Sequence, residues 1–217
     1  MKKVVFLLIT VLLSTVIFAQ TEKKVDRGLT KEITEKAIKE ARKEAKKLAK
    51  EGWTVNPGSL PLDKILENAW KKQYTTDEKG LPLYITADGN AVAETKTVAE
   101  MQAIEMGKLQ LAGLIETNIN SLISGNLANA QISTEDAASI TEIVQSSKNL
   151  IAMELGYVDP FFKIYRDIND NKVEVQVRLF YDRTQSMEIA KKVIRKELKD
   201  KLKINEQQLE KLMGISE

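Results

Sequence analysis

The chain has 217 residues, with 33 basic and 31 acidic side chains and with neither histidine nor cysteine. The lack of these two residue types removes the commonest general base, the usual ligands of zinc and the strongest nucleophile at neutral pH. It also excludes disulfides, so apolar packing must hold the core together. We predict no catalytic residue, no cofactor and no metal site.

The first residues have the pattern of a secretory signal peptide. Two lysines precede an apolar run over residues 4–18, and Ala19 is a small residue suited to cleavage before Gln20. The alternative is a membrane anchor, but about 15 apolar residues fall short of the roughly 20 that a spanning helix needs. We predict that residues 1–19 are a signal peptide and that no integral membrane segment remains after cleavage. The exported chain is expected in the periplasm, at the outer membrane or outside the cell.

Removal of the predicted signal peptide changes the charge of the chain. Residues 1–19 contain two of the 33 basic side chains and no acidic one, so 31 of each sign remain. A formally neutral protein gives no overall electrostatic case for nucleic acid or for anionic lipid as a partner. Nucleic acid is therefore not an expected partner.

Residues 20–52 are predicted to form a charged N-terminal helix. The segment from Thr30 to Lys50 lacks proline and glycine, and its apolar residues form one narrow stripe at helical spacing. Lysine and glutamate are interleaved along the rest of the segment, which favours a solvated surface over a basic surface that binds a partner. The helix is also a candidate contact for a homo-oligomer.

The segment EGWTVNPGSLPLDKILENAW, residues 51–70, contains both tryptophans and three of the four prolines. Gly52 can end the first helix, Asn56-Pro57-Gly58 can turn the chain, and Pro61 can start a helix from Leu62 to Tyr74. The segment is either a structural corner with buried rings or a binding motif with two aromatic anchors. Its capping and turn chemistry favours the corner.

A first hairpin and two long helices are predicted next. In LPLYITADGNAVAET, Asp88-Gly89-Asn90 has the turn chemistry of a hairpin between two short strands. Residues 97–124 have a wide apolar face at helical spacing, and Ser133 can cap a second helix that continues to Leu155. Small residues recur every four positions in the first of these helices, which favours close packing: Ala99, Ala103 and Gly107.

A second hairpin gives the clearest β signal. Apolar and polar residues alternate in KVEVQVRLFYD, and NDN before it can form a turn, so Phe161 to Asp182 should be an antiparallel hairpin. Helices are predicted from Thr184 to Lys203 and from Asn205 to Met213. We predict that residues 53–217 form a single α+β domain, in which an antiparallel sheet built from two hairpins carries long helices on one face.

The turn of this hairpin matches a calcium-binding loop only in part. Asp167, Asn169 and Asn171 occupy its first, third and fifth positions. Lys172 stands where the loop needs glycine, and Arg178 stands where it needs glutamate. We interpret the segment as a hairpin turn without a metal.

Paired carboxylates are the remaining catalytic option. Asp63 with Glu67, and Glu100 with Glu105, are close in sequence on predicted helices, whereas glycan hydrolysis needs two acids that converge in a cleft. Helices rich in acids produce such pairs by chance. A carboxylate-dependent glycan hydrolase is the alternative to a non-enzymatic protein.

The polar side of the last strand is the candidate partner-binding site. If the alternation holds, Phe180 lies on that side, with Arg178 on the same strand and Phe161 and Tyr165 on its neighbour. Such an aromatic patch can bind a protein or a glycan. A covering layer of helices is the alternative, and we favour it because apolar sheet faces usually carry helices.

Four segments carry a resemblance to a known group: EGWTVNPGSLPL, MQAIEMGKLQLAGLIET, SKNLIAMELG, and VEVQVRLFYD with the basic helix after it. Over residues 40–200 the chain resembles uncharacterised exported proteins of Bacteroidetes-type bacteria. Residues 95–200 are more distantly similar to the twenty-kilodalton bacterial outer-membrane lipoprotein family, although this chain lacks the acylated cysteine of that family. The resemblance implies an exported cell-envelope protein and no catalytic residue. We expect a non-enzymatic binding or scaffolding module whose partner is an envelope protein or a glycan.

Overall fold

The computed structural model describes residues 35–36, 38–168, 171–202 and 204–214. The predicted signal peptide and the start of the predicted N-terminal helix lie outside these residues. Within them, a three-stranded antiparallel sheet of order β1-β3-β2 is packed against helices. The predicted α+β class, with an antiparallel sheet and long helices on one face, is confirmed.

The three strands are β1 (Tyr84–Ala93), β2 (Pro160–Ile168) and β3 (Lys172–Asp182). The helices are α1 (38–50), α2 (Leu62–Gln73), α3 (Lys96–Asn126), α4 (Thr134–Gln145), α5 (Lys148–Glu154), α6 (Arg183–Lys201) and α7 (Glu206–Leu212). No helix among the described residues combines the length and the apolar character needed to cross a membrane.

One face of the sheet forms the main core with the long helices. Val175, Val177 and Leu179 of β3 are buried in one cluster with residues of α3 to α7. Polar residues alternate with them along β3, so this strand has the period-two pattern that the sequence predicts. The second predicted hairpin is confirmed, because β2 and β3 pair antiparallel.

The first predicted hairpin is wrong. Asp88, Gly89 and Asn90 do not turn the chain but lie within β1, opposite Arg178, Val177 and Gln176 of β3 in that order. Gly89 is needed for a different reason. A β-carbon there would lie 2.6 Å from the backbone nitrogen of Gly107, and closer still to the carbonyl oxygen of Ala103. Glycine thus permits α3 to approach the strand, as glycines inside strands commonly do.

The predicted helix from Ser133 to Leu155 is also corrected, because it is broken into α4 and α5. Ser133 caps α4, as predicted, by accepting a hydrogen bond from the Asp136 amide. The break follows Gln145, where the Ser147 hydroxyl donates to the Val144 carbonyl at 2.6 Å. Serine side chains compete in this way with the regular backbone ladder.

The opposite face of the sheet forms a second core under α1 and α2. Phe162, Ile164 and Phe180 of the sheet are buried there together with small and branched residues of the two helices. The helical residues that complete this cluster are Ala41 and Ala45 of α1 and Leu66 and Ala69 of α2. Helices therefore cover both faces of the sheet, although the long ones lie on one face only.

Residues 51–61 form the corner between α1 and α2, and the rest of the segment up to Trp70 belongs to α2. Gly52 leaves the first helix with a φ of 84°, and Gly58 adopts a φ of 86° in a turn closed by the Ser59 amide and the Asn56 carbonyl at 3.0 Å. Trp53 is only 6% exposed and packs in the second core. The prediction that this segment is a structural corner with buried rings is confirmed for Trp53.

Candidate binding groove

The four residues that the sequence proposes as a partner site do not form one surface. Phe180 and Arg178 lie on the sheet face covered by α1 and α2, whereas Tyr165, which pairs with Val175, lies on the face of the main core. Phe161 sits at an irregularity in the pairing of β2 with β3, beside Phe180. Helices α1 and α2 cover the face with Phe180, which is the alternative that we favour over an open aromatic patch.

Phe161 and Phe180 belong to an aromatic cluster around a lysine of α2. The ring of Phe180 contacts those of Phe161 and Tyr84 edge-on, with centroids 5.0 and 6.1 Å away. The Lys72 ammonium lies 4.4 Å from the Tyr84 centroid, 4.9 Å from that of Phe161 and 5.3 Å from that of Phe180. Such cation–π contacts hold the end of α2 on the sheet.

Tyr165 is also engaged within the protein. Its hydroxyl donates to the Val55 carbonyl at 2.9 Å, and its backbone pairs with Thr54 in both directions. The Lys96 ammonium lies 3.3 Å from the ring centroid and binds Asn56 as well. Tyr165 therefore ties the corner segment to β2.

Arg178 lies at the floor of an open groove. Its guanidinium donates two hydrogen bonds to Asp88, at 2.7 and 3.1 Å, and packs 5.2 Å from the Phe162 ring centroid. Burial acts to lower the pKa of Arg178, but the hydrogen bonds and charge of Asp88 outweigh it, so the pKa lies above its usual value. The guanidinium is therefore held in a fixed orientation as a permanent cation.

The groove above Arg178, which we call the α1–α2 groove, has a volume of about 400 Å³. Its lining comprises Glu40, Lys43, Glu44 and Lys47 of α1, Trp70 and Gln73 of α2, and Arg178 of β3. The Trp70 ring stacks on that of Tyr74 at 5.5 Å, and its indole nitrogen donates to Glu44 at 2.7 Å. Tyr74 is 45% exposed.

This arrangement combines an aromatic surface with planar hydrogen-bonding groups. The Trp70 ring, which stacks on Tyr74 outside the lining, offers the groove an apolar surface, while Gln73 and Arg178 supply amide and guanidinium groups. Pockets of this kind fix a ligand by a few polar contacts around an apolar surface. Sequence reasoning placed Trp70 in a structural corner and missed its role in lining the groove. The helical spacing from Trp70 to Tyr74 is the signal that could have paired the two rings.

One carboxylate of each suggested catalytic pair is hydrogen-bonded to lysine instead. Glu67 accepts hydrogen bonds from Lys71 at 2.6 Å and Lys64 at 3.1 Å, and Glu100 accepts one from Lys163 at 2.6 Å. The hydrogen bonds from Lys71 and then Lys64 lower the pKa of Glu67. A general acid in glycan hydrolysis needs a raised pKa, so Glu67 is unsuited to that role.

Glu67→Gln should lower the free energy of unfolding at pH 7 by about 1 kcal/mol, because Lys64 and Lys71 lose the negative charge of the group that accepts their hydrogen bonds. The pKa of Glu67 is lowered in the folded state, so its contribution is complete above the usual value of 4.5 and is lost as the pH falls below that. Urea unfolding of both proteins at pH 7 and near pH 3 should show the difference shrinking. The exposed Glu78→Gln is the control, and a pH-independent difference would contradict this role of Glu67.

Comparisons of the chain with protein-family models, with curated proteins and with solved structures found no match.

Proposed function

We propose that this chain is an exported cell-envelope protein that acts as a non-enzymatic binding module, with the α1–α2 groove as the site of a saccharide ligand. The observation that carries the proposal is that the Trp70 ring, Gln73 and the fixed guanidinium of Arg178 line one groove. The signal-like N-terminus and the resemblance to exported proteins support the location.

A saccharide suits the groove for two reasons. The C–H face of a sugar ring is apolar enough to pack on an exposed aromatic ring, and its hydroxyls need both donors and acceptors around it. Gln73 and Arg178 supply donors in the groove, and the carboxylates of Glu40 and Glu44 supply acceptors. The alternative partner is an envelope protein that inserts polar side chains at the same place.

Glycan hydrolysis by carboxylates is the second candidate, since Glu40 and Glu44 both line the groove. It has less support than binding. The two residues are one helical turn apart on α1, so they do not face each other across a bond to be cleaved. Glu44 also accepts the Trp70 indole hydrogen.

Calorimetric titration of the purified protein with soluble cell-wall glycan fragments tests the proposal. We expect saturable heat without release of cleaved sugar. The double substitution Trp70→Phe with Gln73→Ala should weaken binding on the order of tenfold, because it removes the larger ring and one hydrogen-bonding group from the centre of the site.

The control variant is Phe161→Ala, which changes an aromatic residue outside the groove lining and should leave the affinity within about twofold. Equal weakening by both variants, or no heat with any neutral or charged fragment, would contradict a saccharide site in this groove. Release of cleaved sugar that is lost in Glu44→Gln would favour the hydrolase instead.

A further inference from the structure

The charges of α1 are interleaved in sequence but segregated around the helix. Lys39, Arg42 and Lys46 are exposed and follow each other at helical spacing, so they share one face. The acidic residues Glu40 and Glu44 lie elsewhere on the helix. Both are half-buried and line the α1–α2 groove. The sequence-based interpretation of a mixed, solvated surface is therefore incomplete.

The basic face carries one acidic residue, Glu35, one turn before Lys39, and Lys39, Arg42 and Lys46 outnumber it. Lys43 lies 4.0 Å from Glu40, at the limit of an ion pair. Among the described residues, no carboxylate comes within ion-pair distance of Lys39, Arg42 or Lys46. A formally neutral chain thus presents a local excess of positive charge, and such a patch attracts anions whatever the net charge of the protein.

The shape of this face determines which anionic partner fits it. The apolar side of α1, with Ala41 and Ala45, is packed on the sheet, so the basic side points away from the protein. From Lys39 to Lys50 the exposed cations extend over about 16 Å of helix. A straight, outward-facing ridge meets a flat surface along its whole length. The described part of α1 contains no aromatic residue, so this face has no ring to insert into a bilayer.

We propose that the basic face of α1 docks the protein on the surface of an anionic lipid membrane. The attraction is between the exposed lysine and arginine side chains and the lipid headgroups, and it requires no inserted segment. The proposal is independent of the saccharide site, because Lys39, Arg42 and Lys46 do not belong to the groove lining. The protein would then present its α1–α2 groove beside the membrane.

Co-sedimentation of the purified protein with lipid vesicles tests this proposal. We expect binding to phosphatidylcholine vesicles that contain about 30% phosphatidylglycerol and little binding to pure phosphatidylcholine. Raising the salt from about 0.1 M to about 0.5 M should release the protein, because the Debye length shortens. The triple variant Lys39→Gln, Arg42→Gln, Lys46→Gln should bind on the order of a hundredfold more weakly, at about fivefold for each cation removed.

The control has the same charge change at exposed lysines elsewhere: Lys79→Gln, Lys196→Gln and Lys211→Gln. It should bind anionic vesicles within about threefold of the unchanged protein. Glutamine is a good helix former, and circular dichroism checks that both variants remain folded. An equal loss in the control, or binding that salt does not weaken, would overturn the proposal. So would binding to soluble dextran sulfate without binding to vesicles, which would identify an anionic polysaccharide as the partner.

Discussion

Replacing Gly89 with alanine should prevent stable folding, although it adds only one methyl group. The new β-carbon would fall 2.6 Å from the Gly107 backbone nitrogen and 2.9 Å from the Ala103 carbonyl carbon. These are backbone atoms of α3, so no side chain can rotate away. Relief requires α3 to move off the sheet and to open the main core. We expect a loss of at least about 4 kcal/mol, which is exceptional for one substitution.

The matched control is Gly125→Ala near the end of α3, the helix that Gly89 contacts. Nothing lies within 4 Å of a β-carbon there, and alanine is the better helix former, so stability should be unchanged or rise by up to about 1 kcal/mol. Thermal unfolding followed by circular dichroism compares both variants with the unchanged protein. If the unfolding temperature of Gly89→Ala lies within a few degrees of that of the unchanged protein, the close contact between β1 and α3 is refuted.

Phe180→Ala should destabilise the protein by about 3 to 5 kcal/mol, the usual range for a buried phenylalanine. Phe180 is 8% exposed, and its truncation removes the ring that Phe161 and Tyr84 contact and that the Lys72 ammonium faces. Phe161→Ala is the comparison, because Phe161 is 37% exposed in the same cluster. Phe161→Ala should lower the free energy of unfolding by about 1 kcal/mol.

Chemical denaturation of the two phenylalanine variants measures the difference directly. The sequence alone proposes both residues for partner binding, whereas the structure assigns Phe180 to the second core. Similar small losses in both variants would mean that the helices do not cover this face of the sheet. In that case Phe180 would become available to a ligand after all.

Local chemistry explains which elements could be predicted from the sequence. Gly52, Ser133 and Asn205 each act at the helix end that the sequence indicates, by a positive φ or by a side-chain cap. Capping and turn preferences depend on a few neighbouring residues, so they can be read without knowing the fold. The strict alternation of β3 is equally local, because its period follows from the strand itself.

The errors arise where a distant segment determines the local structure. Asp88-Gly89-Asn90 has the composition of a turn, but the approach of α3 and the pairing with β3 keep it extended. The free energy gained by burying both contacts outweighs the local preference of these residues for a turn. The break at Ser147 has a local cause instead, the hydrogen bond of its hydroxyl to the Val144 carbonyl, but the apolar helical pattern continues on both sides and conceals it.

The candidate site was only partly predictable for the same reason. Arg178 was identified from its strand, but the other residues of the groove come from α1 and α2, whose positions over the sheet follow from the second core. Tyr165 was placed with Phe180 because a sequence does not fix which face of β2 matches which face of β3. The segregated charges of α1, by contrast, could have been found by plotting the residues around the helix.

Saccharide binding in the α1–α2 groove is tested most directly with Trp70 as a fluorescent reporter. Trp53→Phe leaves Trp70 as the single tryptophan and changes only a buried ring. If a saccharide binds in this groove, soluble cell-wall glycan fragments should protect Trp70 from acrylamide quenching, with a concentration dependence that matches the calorimetric titration. Quenching that stays constant while calorimetry records saturable binding would show that the ligand binds elsewhere and would contradict saccharide binding in this groove.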